Sequence, residues 1–190
     1  KDWSAVPNLF YRTGGCFKPS AKQHLYVDNL DSVPFPAYDL VDMEFYIRYT
    51  SSIFREIHGD GKKIPRIMTM VCSRGCPFSC SFCYRLIKKW RHHSTVNILS
   101  HLSMLKKNYN INAVVFTDEL IFADTKWFIS LCEALSGSTL ELTFSCGGGK
   151  PSLVSEDMLS AMKKSGFTRI GYGIESGSPK ILKLMKKGVT

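Results

Sequence analysis

Apolar positions along the chain fall into two regimes. From residue 66 onward, short apolar runs alternate with stretches whose apolar residues recur at helical spacing; before it no such rhythm holds. Residues 67–71 form a short apolar run that reads as a strand. Ser94 is placed to cap a helix carrying Val96, Leu99, Leu102 and Leu105 on one side. Residues 113–116 read as a second, buried strand and 126–135 as a second helix. Residues 140–144 read as a third strand, followed by a helix over 156–164 that Gly166 stops. Residues 169–174 read as a fourth strand, and Ser178-Pro179 opens a fourth helix with proline at its first position.

Four strand–helix repeats define an α/β protein with a parallel sheet and right-handed crossovers. A barrel and an open doubly wound sheet both satisfy that pattern. No Gly-x-Gly-x-x-Gly follows the first strand, which disfavours a dinucleotide-binding sheet. Residues 1–64 are expected to be an irregular connector and 65–190 the core domain. The connector holds Pro7, Pro19, Pro34 and Pro36, a turn-rich stretch over 30–36, a short helix over 46–57 and a turn at Asp60-Gly61. A closed barrel needs more than four units, and residue 1 is not Met, so both ends read as incomplete.

Composition narrows the class further. The chain has 190 residues, 44% of them hydrophobic, enough for one buried core. No apolar run approaches the roughly 20 residues that span a bilayer, and no secretion signal opens the chain. Net charge is +9, which permits a nucleic-acid or acidic partner. The run Lys88-Lys89-Trp90-Arg91-His92-His93 and the group Lys180, Lys183, Lys186 and Lys187 nevertheless read as solvated faces, so nucleic acid is not favoured. The seven cysteines are an odd set for a disulfide scaffold, and four of them lie between residues 72 and 83. That crowding points to a metal or cluster site in a reducing cytoplasm. Cys16, Cys132 and Cys146 read as small apolar fillers, although Cys146 falls on the rim where the strands end.

The concentrated chemistry is Cys76-Pro77-Phe78-Ser79-Cys80-Ser81-Phe82-Cys83, a C-x3-C-x2-C run just after the first strand. Three thiolates on one tight loop suit three irons of a cubane cluster. The fourth iron, left without a protein ligand, has room for the amino and carboxylate groups of S-adenosylmethionine. The competing reading is a structural zinc site completed by Cys72, but no second ligand knuckle is present.

These residues resemble the signature of the radical S-adenosylmethionine (radical SAM) superfamily. The longer string over 72–85 is similar to the branch that carries a cobalamin-binding domain. Phe116-Thr117-Asp118-Glu119 resembles the acidic end of the family's second strand, and Gly171-Tyr172-Gly173-Ile174-Glu175-Ser176-Gly177-Ser178 its fourth-strand motif. Residues 30–38 resemble the connector between cobalamin and radical domains. The resemblance implies a partial (β/α) barrel of six units, about four of them present here. It implies a 4Fe-4S cluster on Cys76, Cys80 and Cys83, and S-adenosylmethionine contacts from Phe82 (adenine), Asp118 or Glu119 (amino group), and Glu175 and Ser176 (ribose). Ser145, after the third strand, falls on the same rim. The family often has an arginine after that strand; here Lys150 keeps the charge but not the planar fork. Gly147-Gly148-Gly149 beside it reads as a flexible loop.

The resemblance implies an enzyme that cleaves S-adenosylmethionine to a 5′-deoxyadenosyl radical, with an external electron donor. Cobalamin, if used, would come through a domain outside this chain, for which no Asp-x-His-x-x-Gly motif is found here. A methylthiotransferase acting on RNA or protein, and a non-enzymatic zinc-stabilised basic module, are the alternatives.

Overall fold

The structure, a computed structural model, describes residues 2–20, 26–58, 65–84 and 87–189. The chain divides into two compact units, Lys1–Leu30 and Asp31–Thr190. In the first, β1 (Phe10–Thr13) and β2 (Cys16–Pro19) form an antiparallel hairpin. Its turn uses Gly14 and Gly15, both at positive φ. That Gly-Gly pair is the sequence signal of a hairpin lying in the stretch without periodicity.

The second unit begins its regular structure with α1 (Met43–His58), longer at both ends than expected. Then follow β3 (Ile67–Met70), the short antiparallel pair β4 (Ser73–Arg74) and β5 (Arg91–His92), and α2 (Thr95–Tyr109). Next come β6 (Ala113–Phe116), α3 (Thr125–Ser136), β7 (Thr143–Gly149), α4 (Glu156–Lys164), β8 (Phe167–Tyr172) and α5 (Pro179–Leu184). Strands β3, β6, β7 and β8 pair in that order, all parallel. The architecture is the expected α/β one, four βα units of a partial barrel. The Asp60-Gly61 turn lies outside the described residues.

Strand pleating sorts the side chains. Met68, Met70, Val114, Phe116, Phe144 and Cys146 face the helices and join Ile98, Leu102, Leu105, Phe128, Leu131 and Met158 in the main core. On the opposite face, Thr69, Val115, Ser145 and Arg169 stand on one cross-strand rung. Ile67, Ala113 and Val115 form a smaller cluster there with Phe54 of α1, and the Ser51 hydroxyl accepts the Ile67 N–H at 3.0 Å.

The segment after residue 30 is anchored on α2. Asp31 accepts the Ser94 N–H at 3.0 Å, and Phe35 stacks on His101 with ring centroids 4.3 Å apart. The Tyr38 hydroxyl lies 2.9 Å from His101 Nε2. Burial, with the nearby His93, lowers the His101 pKa to about 4, so the ring sits neutral among aromatics at pH 7.

Local chemistry explains both the agreements and the differences. Ser94, Asp124 and Ser155 cap α2, α3 and α4 through their side-chain oxygens. Val96 is 75% exposed: two residues before Ile98 on a 3.6-residue turn, it points away from the stripe of Ile98, Leu102 and Leu105. The third strand starts at Thr143, not 140, because Glu141 sits at φ 47 and breaks the extended run. The three glycines are strand, not loop. Gly149 accepts the Gly173 N–H at 3.0 Å, and a Cβ there would stand 2.9 Å from the Gly171 carbonyl oxygen. The glycine permits close approach of β7 and β8 at their bulge. Leu102, fully buried in the main core, sets a stability test: Leu102→Ala should cost about 2–5 kcal/mol in chemical denaturation.

Candidate active site

The cysteine loop leaves the sheet at the C-terminal end of β3. Gly75 turns it at φ 91, where a Cβ would lie 2.4 Å from the Lys89 carbonyl oxygen. The Cys76 N–H donates to Ile87 O at 3.2 Å and the Cys83 N–H to Cys80 O at 3.3 Å. The Ser81 N–H donates to Met185 O at 2.9 Å, tying the loop to the end of α5. Cys76 and Cys80 are half-buried and Cys83 is exposed, all three as free thiols. Burial pushes the Cys76 pKa up, against a hydrogen bond from the Phe78 backbone, and charge on Cys80, Cys83 and Glu119 raises it further. The three thiols and Glu119 therefore share one electrostatic neighbourhood.

Among the described residues, no three His, Cys, Asp or Glu side chains gather around one point as ligands of a single ion would. A cubane makes a different demand, because its cysteine ligands bind separate irons. Three thiols on one loop, partly exposed, supply the soft sulfur donors such a cluster takes. Cys72 does not join them. It is fully buried in the main core, and burial, with the charge of Asp118, raises its pKa well above the thiol range. A four-thiolate zinc site with Cys72 does not fit that placement.

Asp118, at the end of β6, is a brace for the loop. Its Oδ1 accepts the Cys72 N–H at 3.0 Å and the Ser73 hydroxyl at 2.6 Å, and it also accepts the Ser73 N–H. Burial outweighs these bonds and raises its pKa to about 6. The folded form thus holds this proton more tightly than the unfolded chain. Its stabilising contribution is full below about pH 4 and is lost as pH rises through about 6. Asp118→Asn should remove that pH dependence in denaturation midpoints between pH 4 and 7; parallel wild-type and variant curves would contradict the shift.

The other expected site residues separate into two places. Around the cysteine loop stand Glu119, exposed, and Phe82, 49% exposed, so Phe82 is not core packing. The Lys187 ammonium lies 5.7 Å from the Phe82 ring centroid and pairs with Glu175 at 2.9 Å. Glu175 itself sits at φ 62, a left-handed turn beyond β8 that carries its carboxylate back toward Lys187. The Ser176 hydroxyl accepts the Ser178 N–H at 3.1 Å, and Ser178 makes no side-chain cap to α5.

Ser145 and Asp118 instead line a cavity of about 410 Å³ on the inner face of the sheet, with Thr117, Gly148 and Arg169. Nothing in the sequence motifs marks Arg169; the signal for it is its alternation with Ile170, which packs on the core. By sequence Lys187 belongs to a solvated lysine group, and nothing in its spacing announces the pair with Glu175. Cys146 packs in the main core, where burial pushes its pKa up to about 12, and it also borders this cavity.

The model of the Radical SAM superfamily matches residues 70–190. The chain is 30% identical over 193 residues to an uncharacterized methyltransferase of Pyrococcus horikoshii, covering 100% of this chain and 39% of that protein. It is 28% identical over 162 residues to the cytidylyl-2-hydroxyethylphosphonate methyltransferase of Streptomyces wedmorensis, covering 83% of this chain and 29% of the relative. Over 121 residues it is 25% identical to the anaerobic magnesium-protoporphyrin IX monomethyl ester cyclase of Rubrivivax gelatinosus, covering 62% of this chain and 22% of the relative. Among solved structures, OxsB, a cobalamin-dependent S-adenosylmethionine radical enzyme with aqua-cobalamin bound, superposes with a TM-score of 0.74 at 23% identity. That match covers 100% of this chain and 27% of OxsB, and it bears on the fold. The chain thus spans well under half the length of these relatives.

Proposed function

Because the chain belongs to the radical SAM superfamily, we propose that Cys76, Cys80 and Cys83 hold a 4Fe-4S cluster and that the chain cleaves S-adenosylmethionine reductively. We further propose that this cleavage serves cobalamin-dependent methyl transfer in a longer enzyme. The observation that carries the first step is the loop itself: three thiols on one tight loop at the C-terminal end of a barrel strand, with Cys72 turned into the core. The names of the methyltransferase relatives and of OxsB support the second. Cobalamin would be held outside residues 1–190.

Held by Cys76, Cys80 and Cys83 and re-reduced by an external donor, such a cluster would supply the electron that splits S-adenosylmethionine into methionine and a 5′-deoxyadenosyl radical. The residues of this chain bind and orient. Glu119, an exposed carboxylate beside Cys76, suits the ammonium of the methionine moiety. Phe82 presents a half-exposed ring to the adenine. Ser176 and Glu175, the latter fixed by Lys187, offer oxygen acceptors for ribose hydroxyls. Asp118 holds the loop's first residues, and Ser145 and Arg169 line the adjoining cavity where substrate would enter.

The test is anaerobic reconstitution of the chain with iron and sulfide, then addition of S-adenosylmethionine and dithionite. The expected outcome is a brown protein that releases 5′-deoxyadenosine. A loaded cluster that releases none would overturn the cleavage reading.

A further inference from the structure

A buried cation lies beneath the cysteine loop without a matching anion. Lys150 follows β7 and is 8% exposed. Its ammonium stands 3.4 Å from the ring centroid of Phe78, midway along the loop between Cys76 and Cys80. On another side the backbone of Gly188 closes over it: a Cβ at Gly188 would be 3.0 Å from Lys150 Nζ. Among the described residues no carboxylate pairs with it and no hydrogen bond reaches it, whereas the neighbouring Lys187 is paired with Glu175. Burying an unpaired charge is costly, so an ammonium persists in such a place only where an anion or a ring face offsets the lost hydration. Burial pushes the Lys150 pKa down and the neighbouring Lys187 charge adds to that, while Cys80 and Cys76 of the loop act in the opposite sense.

We propose that Lys150 is the counter-charge of the iron–sulfur cluster, a positioning residue that raises its reduction potential from below the loop. The inference rests on the reading of Cys76, Cys80 and Cys83 as cluster ligands. Three thiolates bring negative charge to the site, and each added electron increases it. A fixed positive charge nearby stabilises the reduced form over the oxidised one, and more so where water is excluded. The cover that Phe78 and Gly188 give on two sides directs the ammonium to this role rather than to a clamp on the cosubstrate. The open side of the loop is marked by the exposed Cys83, Glu119 and Phe82, not by Lys150. The cation–π contact with Phe78 fixes the ammonium at constant distance from the loop and leaves it charged.

The experiment is a redox titration of the reconstituted protein without S-adenosylmethionine, followed by its spectrum, for wild type, Lys150→Met, Lys150→Gln and Lys150→Arg. The expected result is a shift to more negative potential in the Met and Gln variants and near-recovery in the Arg variant. If Met and Gln variants fail to retain the cluster while the Arg variant retains it, the requirement for charge is equally supported. An unchanged potential in Met and Gln variants would overturn the inference. So would loss of the cluster in all three, which marks a need for lysine's shape. So too would an unchanged potential together with weakened S-adenosylmethionine binding, which marks a cosubstrate contact. If the wild type itself takes up no iron–sulfur cluster, the functional reading fails first, and that result is distinct from all of these.

Discussion

Replacing Cys80 with alanine should abolish 5′-deoxyadenosine formation and most of the brown colour of the reconstituted protein. The reason is geometric. Each thiolate of the loop is expected to bind its own iron, so losing one opens a second corner and the cubane is no longer held. Within the second unit no other cysteine stands free to take its place: Cys72 is fully buried, and Cys132 and Cys146 lie in the core among Phe128, Leu131 and Phe144. The loss should exceed the roughly 10–100-fold cost of deleting an outer partner of a metal ligand. The matched control is Cys132→Ala. That thiol is buried and held protonated, its pKa pushed up to about 11, so the variant should keep colour and product and lose only stability. Anaerobic iron quantitation and product assay on both variants decide the matter; a Cys80→Ala protein with full product would remove Cys80 from the ligand set.

Gly75→Ala should be nearly as damaging, although it removes no ligand. Gly75 sits at φ 91, a conformation that L residues avoid. Added to that strain, the new Cβ would meet the Lys89 carbonyl oxygen at 2.4 Å and that of Ile87 at 3.1 Å. Both obstacles are backbone, so relief requires moving the segment that accepts the Cys76 N–H through Ile87. We expect a destabilisation on the order of 3 kcal/mol or more and poor cluster loading, because Cys76 is displaced along with its neighbour. Gly137→Ala provides the contrast. Its φ of −77 is ordinary and its nearest neighbour would be 3.6 Å away, so stability and loading should stay near wild type. Thermal denaturation and iron content of the two variants measure the difference.

Much of this molecule is legible in its sequence, for reasons that are local. Short apolar runs and capping residues mark the strands and helices of the core, and Ser94, Asp124 and Ser155 do act as caps. The cysteine spacing places three thiols on one loop whatever the packing around them. Where the reading departs from the structure, tertiary packing decides. The glycines at 147–149 carry no strand propensity, yet they pair as strand because β8 must approach them closely. Likewise Asp118 and Glu119, adjacent in sequence and equivalent by composition, end up with different roles: one is enclosed by the amides of Cys72 and Ser73, the other exposed beside Cys76. Pleating alone predicts that neighbours diverge; which one turns inward depends on the loop it meets. The enclosure of Lys150 is of the same kind, since its cover comes from Phe78 and Gly188, distant in the chain on either side.

A cluster corner left open by three cysteine ligands would be read directly by electron paramagnetic resonance of the reduced, reconstituted protein, recorded before and after adding S-adenosylmethionine. A cluster held by Cys76, Cys80 and Cys83 alone should change its signal when the cosubstrate's amino and carboxylate groups bind the open corner. A signal that S-adenosylmethionine leaves untouched would mean that corner is already filled, and would contradict the account.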